Sequence, residues 1–308
     1  MSGIDVEQLP SAAALQAKLD DFDAIIIQNT VYSAAFAERV AAAGRLHWIQ
    51  AAASGIDAFH KYGLPRHVAL SNAGDTWAPC VADHAMALVL GLARGIPAAE
   101  KRREQRHWDQ QGLGGMLLGL RGRTLLVVGL GAIGNGIARR AEAFGMKVDA
   151  VTRSPDKAQG AAYLRHVFGT DKLEQGLKEA DVVVLSLPLT PDSAKIINRQ
   201  TLATMKRTAL LINVSRGGVI DEAALLEALT AGHLAGVGLD VAETEPLPSD
   251  NPLWNAPRTC ITPHVAAFDD GPGFELLGEL CRENLVRFRD GQPLKNGVSL
   301  GRGDDLAN

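Results

Sequence analysis

Cysteine is scarce: Cys80, Cys260 and Cys281 are the only three in 308 residues. An odd number of widely separated thiols without metal-ligand spacing argues against a disulfide framework and a zinc site, and fits a reducing cytoplasm. No apolar run approaches the ~18 residues needed to span a bilayer. The N-terminal MSGIDVEQLP also has no basic stretch followed by an apolar one. A cytoplasmic protein, neither exported nor membrane-bound, is the expectation. Strong charge is missing as well. The net charge is −4, and Lys and Arg are scattered except for KRREQR at 101–106. That leaves no basic face for sustained phosphate contact and argues against nucleic acid as a partner.

What is present is an ordinary globular composition, with 46% hydrophobic and 21% charged residues and a slight excess of glycine at 32. The length suits two domains. Between residues 20 and 95, β-rich runs (DAIIIQ at 23–28, LHWIQ at 46–50, HVALSN at 67–72) alternate with helix-like ones such as SAAFAERVAAAG at 33–44. Such alternation marks βα units and a parallel sheet. The segment from Val81 to Leu92 is apolar nearly all round, so as a helix it must be buried on most sides, between domains or at a subunit interface.

A second series follows a Gly-rich loop at 111–122: TLLVVG (124–129), a helix over 133–144 closed by Gly145, KVDAVT (147–152), DVVVLSLP (181–188), TALLINVS (208–215), LAGVGLDV (234–241) and TCITPH (259–264). Its apolar runs are continuous, as in strands covered on both faces. The tail at 273–293 reads as a helix without a strand of its own, packing back on the first domain through Leu276, Leu277, Leu280, Leu285, Val286 and Phe288. The domains expected are 1–94 with 272–308, and 95–271.

Gly129, Gly131 and Gly134 have the G-x-G-x-x-G spacing between a strand and a helix. The first permits a tight turn, the second lets backbone approach a pyrophosphate, and the third lets helix and strand pack closely. Ala132 and Ile133 complete this expected phosphate turn. An acid that binds both ribose hydroxyls belongs ~20 residues later, at the end of the next strand. Thr152, Arg153 and Ser154 stand there instead. The missing carboxylate removes repulsion toward a 2′-phosphate, and a guanidinium with two hydroxyls suits one, so NADP(H) is the preferred cofactor expected, with NAD(H) possible. A merely solvated Arg153 is the alternative.

Arg216, Asp240, Glu245 and His264 all follow carboxyl ends of strands, where open α/β sheets bind ligands. Reduction of a 2-oxo acid needs a cation for the carboxylate, a proton donor for the carbonyl oxygen, and a carboxylate that favours imidazolium. Arg216, His264 and Glu245 fit these roles.

The stretches GLGAIG, LPLTPDS, NVSRGGVIDEAALLEAL, AGVGLDVAETEPLP and TPHVAA, in this order, closely resemble the D-isomer-specific 2-hydroxyacid dehydrogenase family over roughly residues 46–295. The resemblance implies a Rossmann dinucleotide-binding domain inserted in a flavodoxin-like substrate domain, both doubly wound parallel sheets. It implies that Arg216 binds substrate, His264 is the acid/base and Glu245 its partner. Asp240 would contact the nicotinamide amide, and Pro188 and Val214 would line the cofactor. IQAAASGID resembles the family's carboxylate-binding loop, implying substrate contacts from the backbone of Ala53, Ser54 and Gly55. The Thr152–Ser154 ending resembles NADPH-using glyoxylate/hydroxypyruvate reductases, so the expected partners are a small 2-oxo or 2-hydroxy acid and a second copy in a homodimer. No metal site is expected.

Two departures stand out. The first domain looks one βα unit short, with GIDVEQ corresponding to the family's second strand, and Asp83 replaces the usual Glu in VADHAM. Formate dehydrogenase shares the fold but has an amide in place of Glu245. A corepressor-like nucleotide sensor is the rival from another class, and the complete Arg, Glu and His set speaks against it.

Overall fold

Short apolar runs between Ala- and Leu-rich stretches become strands between helices, and the computed structural model describes them for residues 3–158 and 160–300. The strands are β1 (Ala24–Ile27), β2 (Trp48–Ala51), β3 (Ala69–Ser71), β4 (Thr124–Val128), β5 (Lys147–Val151), β6 (His166–Phe168), β7 (Val182–Leu185), β8 (Leu210–Asn213), β9 (Gly236–Leu239), β10 (Thr259–Ile261) and β11 (Gly297–Val298). Two compact units result, one from residues up to Trp77 together with those from Asp269 onward, the other from Ala78 to Phe268. Each is an α/β unit built on a parallel sheet.

In the first unit β1, β2 and β3 lie side by side in sequence order, with Ile25 opposite Ile49 and Ile49 opposite Leu70. Helix Ala34–Ala42 starts at Ser33, whose hydroxyl accepts from the Phe36 N–H, and Phe36 and Val40, one turn apart, enter the core beside Ile25 and Ile27. Each such burial stabilises by about 1.5–3 kcal/mol. Helix Pro272–Arg289 packs in the same unit, as expected, but its buried face is Gly273, Leu277, Cys281 and Asn284, and Leu276 is exposed. The reason is polar. Gln50 of β2 accepts from Ser71 Oγ at 2.7 Å and Asn284 Nδ2 at 2.9 Å, and Asn284 Oδ1 accepts from the Lys295 N–H at 2.8 Å. A fully satisfied buried network of this kind fixes helix rotation more tightly than a leucine stripe. Beyond the helix, β11 pairs antiparallel with β3, a strand the sequence did not announce. GIDVEQ forms no strand.

The second unit carries seven parallel strands in the order β6-β5-β4-β7-β8-β9-β10, so the winding direction reverses between β4 and β7. Val128 is level with Val151 on one side and Leu185 on the other, which brings the loops after these strands to one edge. The short edge strand β6, unannounced by any apolar run, is tied to β5 by Asp149, 1% exposed, which accepts from Arg165 Nε at 2.9 Å. Asp181, just before the central strand β7, closes the amino ends of β4, β7 and β8. It accepts from the Thr124 N–H at 2.9 Å and from Lys206 Nζ at 3.1 Å, and lies 3.3 Å from Arg123 Nη1. Burial pushes its carboxyl up, but the Thr124 N–H and the Lys206 and Arg123 cations outweigh that and hold it below the usual carboxylate range.

Helix Ala78–Ala93 groups with this unit, although the sequence puts the first boundary after residue 94. Small residues explain its placement. Ala82 Cβ stands 3.0 Å from where a Cβ on Gly136 would be, and Leu88 Cβ 3.1 Å from one on Gly238 of β9. The apolar girdle read from the sequence is thus largely covered within the unit, leaving Pro79, Asp83, Ala87 and Arg94 exposed. Asp83 pairs with Arg140 at 2.6 Å.

Candidate active site

The turn after β4 fits a dinucleotide. Gly129 has φ 98°, and a Cβ there would meet Ser186 O at 2.5 Å; a Cβ on Gly134 would meet Gly129 O at 2.1 Å. Gly131 differs, because a side chain there would enter open space. It is also the cap of helix Ala132–Ala143, and among the described residues no side chain caps the first turn, in which Ala132 and Ile133 are half-buried and Gly134 is buried. An uncapped helix start beside the open space at Gly131 suits a pyrophosphate. Thr152 follows β5 with its N–H on Phe168 O at 3.0 Å, and its Oγ1 accepts from the Ser154 N–H. Arg153 is exposed and forms no ion pair among the described residues. Pro188 lies exposed beyond β7, its carbonyl held by Ser193 Oγ at 2.7 Å, while Val214 is buried after β8.

Arg216 follows β8 on a turn braced by Asn213. The Asn213 side chain accepts from the Ser215 N–H at 3.0 Å and donates to Arg216 O at 2.9 Å, while Arg216 Nη1 donates to Ser215 O at 2.7 Å. The next residue must be glycine, because a Cβ on Gly217 would fall 1.9 Å from the carbonyl carbon of Ala242. The Arg216 turn and the Glu245 loop are therefore pressed together.

Glu245 and His264 meet as the sequence implies: Oε2 and Nδ1 are 2.6 Å apart, with side chains 36% and 48% exposed. Glu245 Oε1 accepts from the Ala242 N–H at 3.0 Å, which aims the carboxylate. Nδ1 is occupied by Glu245, so Nε2 is the ring nitrogen left for chemistry.

The turn that carries His264 is clamped by Asp240, 2% exposed. Oδ1 accepts from Thr262 Oγ1 at 2.6 Å and the Val265 N–H at 3.0 Å, Oδ2 accepts from the Ala266 N–H at 3.0 Å, and the His264 N–H donates to Asp240 O at 2.8 Å. Because the Thr262 hydroxyl donates to Asp240, His84 Nε2, 2.9 Å from Thr262 Oγ1, is the donor of that pair. Asp240 is thus placed to orient this loop. Neither His84 nor Thr262 was singled out from sequence. Thr262 adjoins a recognisable motif, but nothing local marks His84.

In the first unit, Ala53, Ser54 and Gly55 follow β2 directly and are half-buried. Of the two tryptophans near the expected site, Trp77 is buried and donates to Ala52 O, and Trp108 is 92% exposed.

Residues 86–266 match the D-isomer specific 2-hydroxyacid dehydrogenase NAD binding domain, and a glyoxylate reductase of Korarchaeum cryptofilum is 34% identical over 300 residues, 95% of this chain and 87% of that one. The chain belongs to the D-isomer specific 2-hydroxyacid dehydrogenase family. As a member it is an oxidoreductase with a nicotinamide cofactor. A D-3-phosphoglycerate dehydrogenase of Bacillus subtilis is 38% identical over 221 residues, which are 71% of this chain but 40% of that protein. Among solved structures, a family protein from Aeromonas salmonicida superimposes with a TM-score of 0.83 at 31% identity, covering 95% of this chain and 90% of that one. An NADPH-dependent glyoxylate/hydroxypyruvate reductase from Sinorhizobium meliloti, in complex with NADP and sulfate, does so with a TM-score of 0.77 at 28% identity, covering 91% and 85%. No single helix among the described residues is long and apolar enough to cross a membrane.

Proposed function

We propose that this dehydrogenase reduces a small 2-oxo acid of the glyoxylate or hydroxypyruvate kind to the D-2-hydroxy acid, reversibly, with NADPH preferred over NADH. The observation that carries the reading is the His264–Glu245 pair at 2.6 Å, on a turn clamped by Asp240 at the carboxyl edge of the sheet that bears the dinucleotide turn. The substrate class is supported by likeness to a glyoxylate reductase, 34% identical over 95% of this chain.

When bound, the nicotinamide would supply a hydride for the carbonyl carbon. His264 Nε2 donates the proton to the carbonyl oxygen, while Glu245 accepts from Nδ1–H and so fixes the orientation of the ring. Arg216 takes the substrate carboxylate as a fixed cation, and the backbone N–H groups of Ala53, Ser54 and Gly55 take it as neutral donors. Gly129, Gly131, Ala132, Ile133 and Gly134 hold the pyrophosphate, and Pro188, Val214 and Asp240 border the nicotinamide half. Thr152, Arg153 and Ser154 hold the 2′-phosphate, which is supported by the absence of any competing ion pair to Arg153 among the described residues.

The units are read by role: residues 78–268 hold the cofactor and carry Arg216, Glu245 and His264, and the other unit offers the Ala53–Gly55 backbone to the substrate. A homodimer in the cytoplasm completes the reading. Its support is no longer the helix Ala78–Ala93 but the exposed Ile96, Trp108 and Leu117, apolar surface that a second copy would cover. Sedimentation at a monomer's mass would remove the dimer. A panel of 2-oxo acids run with NADPH and NADH tests the main claim, which fails if none is reduced.

A further inference from the structure

Four consecutive carbonyls, Ala52 to Gly55, are each taken by a donor from elsewhere in the first unit. Trp77 Nε1 donates to Ala52 O at 2.9 Å, the Ala73 N–H to Ala53 O at 3.1 Å, Asn72 Nδ2 to Ser54 O at 2.7 Å, and Asn29 Nδ2 to Gly55 O. A trans peptide is planar, with its N–H antiparallel to its C=O. Fixing the carbonyl of one residue therefore fixes the N–H of the next, pointing the opposite way. The four donors thus orient the N–H groups of Ala53, Ser54, Gly55 and Ile56, and none of these N–H groups has an acceptor among the described residues. The Ala52 N–H, by contrast, is spent on Ile27 O at 2.8 Å.

The donors are themselves held. Asn72 Oδ1 accepts from the Gly74 N–H at 3.0 Å, and the Ser54 hydroxyl donates to Gly74 O at 2.6 Å. The Trp77 ring packs edge-on against Phe274, with centroids 5.2 Å apart. Asn29 is the informative member. Its Oδ1 is buried without a hydrogen-bond partner, so the side chain burdens the fold for the sake of the one bond it donates to Gly55.

We propose that Asn29, Asn72 and Trp77 are positioning residues. By locking the carbonyls of Ala52, Ser54 and Gly55 they present a preset row of backbone N–H groups to the carboxylate of the 2-oxo acid. This rests on the reading of Ala53–Gly55 as substrate-binding. A carboxylate that meets donors already aimed loses no binding energy to ordering them, and neutral N–H groups hold it without a counter-ion to displace.

Asn29→Leu and Trp77→Phe each delete one donor while keeping most of the volume. Each is expected to raise KM for glyoxylate about tenfold, one ordinary hydrogen bond to a charged system. Turnover number, NADPH affinity and Tm should stay close to wild type. Titration of 15N-labelled protein with oxalate, without cofactor, gives a second readout. The amides of residues 53–56 should shift in the wild-type protein, with oxalate affinity falling in both variants. Wild-type protein that reduces no 2-oxo acid would sink the function and leave the oxalate titration to decide on the loop. Turnover with KM and oxalate affinity unchanged in both variants would overturn the positioning role while leaving the function standing. If Asn29→Leu fails to fold, Trp77→Phe decides alone.

Discussion

His264 has φ 53°, a backbone conformation that costs a β-carbon residue of order 1–3 kcal/mol and persists only where the surroundings impose it. Asp240 imposes it, through its carbonyl on the His264 N–H and its carboxylate on the next two N–H groups. Nothing in TPHVAA announces a left-handed histidine, although the His264–Glu245 pairing itself was readable from the two motifs. His264→Ala is expected to lower kcat by about 10²–10⁴ while NADPH affinity, measured by fluorescence titration, barely moves. Survival of full activity on every 2-oxo acid would exclude the proton-donor role. Arg153→Ala should raise KM for NADPH by about tenfold or more and leave KM for NADH nearly constant, because the lost contact is a charge-assisted one to the 2′-phosphate. Equal effects on both cofactors would make Arg153 an ordinary surface charge.

At the scale of elements, the ends of strands divide the work. The proposed catalytic and binding groups lie at the carboxyl edge of the larger sheet, while Asp181 ties β4, β7 and β8 together at the amino edge, through the Thr124 and Leu210 backbones and Lys206. Asp181→Asn keeps the shape but loses the charge between two cations, so a stability loss of about 1–3 kcal/mol is expected in urea titrations, with kcat unchanged. The carboxyl's pKa is lowered in the folded state, so its contribution is present at pH values above its ordinary 3.8 and disappears as pH falls through the lower folded value. Wild type and variant should therefore converge in acid, and a difference that persists there would refute the electrostatic account. Continuous apolar runs made the buried parallel strands easy to read. Strand β6 escaped because it is three residues at an edge held by the pairing of buried Asp149 with Arg165, and β11 because two residues pairing with β3 leave no periodic trace.

At the scale of the whole molecule, the alternation of strands and helices disclosed two α/β units, but not where the boundary falls. Helix Ala78–Ala93 is apolar on nearly all sides, which says that it is buried without saying against what. The answer lies in glycines at 136 and 238, far away in sequence. Because the dinucleotide turn belongs wholly to the continuous unit, NADPH should stabilise that unit selectively. At a hundredfold excess over Kd the gain is about 2.7 kcal/mol. Calorimetry is expected to show one transition moving up with NADPH and another lagging behind, and two transitions that move equally would mean that the units unfold as one.

The network around Gln50 also bears on the birth of the protein. Its partners, Asn284 and the backbone at Lys295, as well as the strand that covers the edge of β3, all leave the ribosome after the entire continuous unit. At about 5–20 residues per second, the early strands wait on the order of ten seconds or more with Gln50 short of a partner and an open sheet edge. The second unit to begin is therefore the first that can finish, and the nascent first unit is the part of the chain that has most to gain from a chaperone.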